Sequence, residues 1–86
     1  MPYRLSITET AHKELQRLPA QVKERVRVKC RSLADDPRPP GCRKLRGGDI
    51  YRIRVGGYRV LYDVEDATQT VTILRIRHRR EAYRDL

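Results

Sequence analysis

The 86-residue sequence predicts an α+β fold: a small, mainly antiparallel sheet of about four strands with an N-terminal two-helix hairpin packed on one face. Three observations carry this. Residues 3–8, YRLSIT, alternate like a strand. Apolar residues then recur at helical spacing on both sides of Pro19. From Ile50 onward the period switches to two and holds across Gly56-Gly57. A chain of this length supports one hydrophobic core, so residues 1–86 form a single domain.

The first helix begins after the strand, where Thr8 or Thr10 can cap it and Glu9 sits near its positive end. Ala11, Leu15 and Leu18 make its apolar stripe, and Pro19 closes it. The second helix covers about residues 20–34, with Val22, Val26, Cys30 and Leu33 inward. Residues 35–49, DDPRPPGCRKLRGGD, read as an ordered basic loop because prolines and glycines crowd it.

Residues 50–64 read as a hairpin. With Gly56 and Gly57 at the centre of a primed turn, Arg54 lies opposite Arg59 and Arg52 opposite Leu61. The three arginines then share one face, and the tyrosines and valines take the other. A second turn at 66–69 leads into a strand over 70–79. A tight turn there places Leu74, Ile76 and His78 on the arginine face and Arg75 and Arg77 beneath the helices. Two guanidiniums there are costly, so either they lie past the helices' edge or a bulge changes the parity. Residues 79–86, RREAYRDL, read as a short terminal helix or tail.

The chain carries 20 Lys+Arg against 11 Asp+Glu, a formal net charge of +9. Sixteen of those 20 basic residues are arginine, the side chain suited to two-pronged recognition of phosphate. No apolar run reaches the length of a membrane span, and the N-terminus lacks the core of a signal peptide. Cys30 lies on a helical stripe and Cys42 in the loop, which is no disulfide framework; a reducing, cytoplasmic setting follows. No ligand cluster suggests a metal, and no motif suggests a cofactor.

Arg52, Arg54 and Arg59, joined by Arg79, form the strongest constellation. Like charges placed cross-strand destabilise a sheet, so a sheet that accepts them has an anion to put there. Arginine does not exchange protons near neutral pH; its uses are gripping phosphate and stabilising added charge on it. Lys44, Arg46, Arg77 and Arg80 extend the basic surface as RNA-binding residues. Tyr83 either packs on the sheet or offers a base-stacking ring and a phenol for proton transfer. His78 is the conventional acid–base candidate. RNA cleavage needs no metal if the 2′-hydroxyl attacks the adjacent phosphate, a route closed to DNA.

The succession YRLSIT, KELQRLP, DDPRPPGCRKLRG, DIYRIRVGGYRVLYDVED and ILRIRHRREAYR resembles the RelE/ParE toxins of type II toxin–antitoxin pairs over nearly the whole chain. A RelE-like resemblance implies an mRNA interferase that enters the ribosomal A site and cuts the message, leaving a 2′,3′-cyclic phosphate and a 5′-hydroxyl. The family's site residues match Arg52, Arg54, Arg59 and Tyr83, and its late arginine matches Arg79, with Arg80 as the alternative. The best-studied members of the family carry lysines at the positions of Arg52 and Arg54. Arginine cannot be tuned into a base as lysine can, so that role passes to Tyr83 or His78. The resemblance also implies a cognate acidic, RelB-like antitoxin, with operator DNA reached only through it. The other branch, ParE-type toxins, is non-enzymatic and acts on DNA gyrase. A basic RNA-binding module without catalysis is the third reading.

Overall fold

The computed structural model describes residues 2–45 and 48–78. The elements run β1 (Arg4–Ile7), α1 (Glu9–Gln16), α2 (Ala20–Asp35), β2 (Arg43–Lys44), β3 (Ile50–Val55), β4 (Tyr58–Glu65) and β5 (Thr70–His78). The five strands make one sheet in the order β1-β5-β4-β3-β2. β1 is parallel to β5, and every other neighbouring pair is antiparallel. The fifth strand comes from the segment read as loop: Arg43 pairs with Arg52 and Lys44 with Tyr51, and Leu45 N–H donates to the Ile50 carbonyl at 2.8 Å.

Thr8 caps α1, its hydroxyl accepting from Ala11 N–H at 3.1 Å. Pro19 is the N-cap of α2, with an extended backbone and no side-chain capping bond, and its ring ends α1 before it. Both helices lie on one face of the sheet. Ala11 and Leu15 from α1 and Val26, Cys30 and Leu33 from α2 meet the inward residues of β3, β4 and β5, including the fully buried Tyr62, Val60, Val71 and Ile73. Each such apolar side chain contributes roughly 1.5–3 kcal/mol of transfer free energy. Burial pushes the Cys30 thiol up to about 11, and both cysteines are free.

Gly56 takes a φ of 59° in the β3–β4 turn. Gly57 does not, so the hairpin uses the turn that needs positive φ only at its first central residue. The pairing is as the sequence implies: Arg54 opposite Arg59, Arg52 opposite Leu61.

The β4–β5 pair contains the irregularity. Tyr62 pairs with Ile73 while Leu61 pairs with Arg75, so Leu74 is an extra residue. Val71 and Ile73 face the helices before this bulge, and Ile76 and His78 face them after it. Arg75 and Arg77 turn to the open face. Of the two ways to spare the guanidiniums, the fold uses the parity change.

Among the described residues no helix is long and apolar enough to cross a membrane.

Candidate functional site

The open face carries two cross-strand rows of arginine. Nearest the hairpin turn stand Arg54, Arg59 and Arg77; the next row holds Arg43, Arg52, Leu61 and Arg75. Six guanidinium side chains therefore project from four adjacent strands, which lie about 4.8 Å apart. Arg54 and Arg43 are exposed, Arg52 is half-buried, and Arg59 is only 3% exposed. Arg59 and the buried Leu61 form the floor, and the outer arginines form the rim. Arg43 and Arg54 make no ion pair with a carboxylate among the described residues.

One carboxylate organises the β5 side. β1 pairs only with the first half of β5, so beyond Ile73 the β5 edge is covered by α1 instead. There Glu14 Oε1 accepts the Ile76 N–H at 2.8 Å and Arg75 Nε at 3.2 Å, and Oε2 accepts Arg75 Nη2 at 3.2 Å. Arg77 Nε lies 3.8 Å from the same Oε2. Glu14, with 18% of its side chain exposed, thus closes the edge and holds two arginines at once.

The other end of the open face is acidic. Asp63 and Glu65 follow Leu61 on β4, and Asp49 lies beside them; Val64 N–H donates to the Asp49 carbonyl. Burial first, then Asp49 and Glu65, push the Asp63 carboxyl up from its ordinary value. The face therefore runs from cationic at the hairpin end to anionic at the opposite end.

Among the residues expected in the site, the structure brings Arg52, Arg54, Arg59 and Arg77 together. It does not bring His78 to them: the Leu74 bulge turns His78 to the helix side, in an edge-on contact with Tyr58 at 5.4 Å between centroids. Lys44 pairs with Tyr51 and so also faces the helix side, away from the rows. Arg46, Arg79, Arg80 and Tyr83 lie outside the described residues, as does the terminal segment read as helix or tail.

Two residues, Arg43 and Glu14, escaped the sequence reading, and for Arg75 the reading left the face open. Arg43 joins the face through the short β2, and Arg75 joins through the bulge. Glu14 had a signal: Ala11, Glu14, Leu15 and Leu18 are spaced i, i+3, i+4, i+7, so a carboxylate sits inside an apolar stripe and needs a cation.

A separate cluster secures the proline-rich loop. Arg38 donates to Asp66 through both terminal nitrogens, at 3.2 and 2.9 Å, and through Nε to the Tyr51 hydroxyl at 2.9 Å. Its guanidinium lies 5.2 Å from the Tyr51 ring centroid. Tyr62 donates to the Pro37 carbonyl at 2.8 Å, and Tyr3 to Asp66 at 2.7 Å. The loop is pinned to the sheet beside β2, which places Arg43.

The sequence matches, over residues 5–83, the family described as the ParE toxin of type II toxin–antitoxin systems. It is 36% identical to Toxin RelG of Mycobacterium tuberculosis over 88 residues, covering 98% of this chain and 99% of that protein. It is 35% identical to the mRNA interferase toxin RelE of Escherichia coli K12, covering 96% and 92%. The fold superposes on RelE in the archaeal RelE–RelB complex of Pyrococcus horikoshii with a TM-score of 0.83 and 35% identity, covering 92% of this chain and 97% of that one. With the helix pair, the mixed sheet and the arginine hairpin all accounted for, the chain belongs to the RelE/ParE family and is a toxin of a type II toxin–antitoxin system.

Proposed function

We propose that the protein is a ribosome-dependent endoribonuclease that cuts mRNA in the A site, and that the arginine rows hold the scissile phosphate. The observation that carries this reading is the cross-strand row Arg54–Arg59–Arg77, with Arg52 beside it. Like charges in register cost stability; Glu14 offsets the charge at Arg77, whereas Arg54, exposed at the rim, makes no ion pair with a carboxylate among the described residues and is open to a phosphate. The relative named mRNA interferase supports the reaction type.

In this reading the 2′-hydroxyl attacks the adjacent phosphorus. Arg52 and Arg54, at the accessible rim, grip non-bridging oxygens. Arg59, in the floor, is desolvated before substrate arrives, so its charge acts on the pentacovalent phosphate with little screening. Arg79, or Arg80 beside it, supplies the late arginine. In this reading the base is Tyr83, a phenol that ordinarily titrates at about 10; His78 faces away from the rows. The chemistry leaves a 2′,3′-cyclic phosphate and a 5′-hydroxyl. Arg77 serves with Arg46 and Arg80 in RNA binding; Lys44, on the helix side of the sheet, stands outside the rows. A cognate acidic, RelB-like antitoxin would neutralise the +9 surface; the structural relative described as a RelE–RelB complex supports it.

The test is to mix purified protein with programmed ribosomes and map cuts in the message. Cuts in the A-site codon with cyclic-phosphate ends are expected, and none in free RNA. The name of the matched family favours a second reading, the non-enzymatic ParE type. Intact message together with inhibited gyrase supercoiling would establish that one instead.

A further inference from the structure

A groove of about 510 Å³ separates α2 from the end of the β3–β4 hairpin. Arg25, Val28 and Lys29 line it from α2, and Arg54 and Gly56 line it from the hairpin, with Glu24 at its border. Arg25 and Lys29 are i,i+4 neighbours and share one helix face. Arg54 is the outermost member of the first arginine row. It stands on an open stretch of β3, because β2 pairs only with Tyr51 and Arg52. Its side chain thus belongs both to the open face and to this groove. Gly56 permits the closeness: a Cβ there would meet Arg25 Nη1 at 3.4 Å. Three cations face one carboxylate, and none of the three is ion-paired to a carboxylate among the described residues. Val28, 57% exposed, also lines it.

We propose that this groove carries the phosphates of the single-stranded message flanking the cut, so that the RNA passes from the arginine rows around the β3 edge onto α2. The proposal rests on the ribonuclease reading and extends that site. Continuity argues for it: the cation that grips at the end of the row is also the first cation of the groove, so one strand contacts both without a gap. A helical peptide partner would bring apolar anchors at i, i+3, i+4 and i+7, and Val28 and Val55 offer too little apolar lining to receive them.

The experiment measures binding of fluorescein-labelled single-stranded RNA, 2′-O-methylated to block cleavage, by anisotropy across a salt series. A trinucleotide reaches only the rows; a nonanucleotide reaches the groove as well. Wild type should bind the longer RNA more tightly. The variant R25Q/K29Q should lose that gain, keep trinucleotide affinity, and show a log–log salt slope shallower by about 1.4, from two phosphates at about 0.7 each. Both positions are on the helix surface, and an unchanged melting temperature confirms that folding is intact. Unchanged nonanucleotide affinity and slope would overturn the groove. So would a variant that binds both RNAs like wild type yet loses ribosome or antitoxin binding, which would assign the groove to another partner. Wild type that binds neither RNA would likewise overturn the groove, while the ribonuclease reading stands or falls separately on cuts in programmed message.

Discussion

Arg59 of β4 stands directly opposite Arg77 of β5, and it does so because Leu74 is an extra residue between Ile73 and Arg75. If Leu74 took an ordinary place in the ladder, the second half of β5 would present Ile76 and His78 to the open face and drive two guanidiniums under the helices, where they are costly. Deleting Leu74 closes the ladder with Leu61 still opposite Arg75 and Arg59 still opposite Arg77. The deletion should therefore keep the arginines on the open face and cost less than about 2 kcal/mol, measured by urea unfolding. Loss of the fold on deletion would mean that the bulge does more than set this parity.

Glu14 joins α1 to the β5 edge through one backbone N–H and two arginines. Glu14→Ala should cost about 1–3 kcal/mol, because Ile76 N–H loses its acceptor and Arg75 its counter-charge. Glu14→Gln keeps an oxygen for Ile76 but drops the charge, and should recover part of the loss. Thermal melts of the three proteins read the order: wild type highest, Gln intermediate, Ala lowest. Equal melting temperatures for Gln and Ala would show that the backbone hydrogen bond carries nothing.

The rim and floor arginines should separate in their effects. Arg54→Ala, at an exposed position, should reduce ribosome-dependent cleavage by 100-fold or so, on the scale of one oxyanion donor, with stability within about 0.5 kcal/mol of wild type. Arg59→Ala should lose cleavage and also about 1–3 kcal/mol of stability, because it empties a buried site. Single-turnover cleavage and urea midpoints on the same preparations test both. Full cleavage by Arg54→Ala would remove the rim from the mechanism.

Asp66 is the pH-sensitive point of the loop staple. The Arg38 hydrogen bonds first, and that of Tyr3 second, hold its carboxyl below the usual carboxylate range. A group more acidic in the folded chain contributes stability that is complete above its unfolded value, about 3.9. That contribution is lost as pH falls through the lowered folded value. Asp66→Asn should thus be less stable than wild type at neutral pH, with the gap closing as pH drops below about 4. A gap that stays constant down to pH 2 would mean that Asp66 is not ionised in the staple.

How much of this was legible varies by residue, for physical reasons. The β3–β4 register was readable because two adjacent glycines count the turn, and alternation does the rest. The strand at 43–44 was not, because two residues among prolines and glycines carry no period. A bulge in β5 was one of two alternatives that the cost of burying Arg75 and Arg77 left open, but its place at Leu74 was not readable: a bulge is a mismatch in count between two strands, and neither strand alone locates it. The depth of Arg59 was hidden for a related reason. Alternation assigns a face but not exposure, and the open face also buries Leu61. The sharing of Glu14 between Arg75 and Arg77 depends on where β1 stops, which only the assembled sheet determines.

The parallel pairing of β1 with β5 has a consequence for synthesis. Thr8 bonds to Leu74 across 66 residues of chain, so the strand made first waits for the strand made last. Until β5 leaves the ribosome, α1 has no edge to sit against, Glu14 has no arginines to hold, and the outer cation row lacks one side. Such distant pairing is slow to form. The helix cover of the sheet and the β5 side of the cation rows are accordingly completed by the same long-range pairing, neither one before the other.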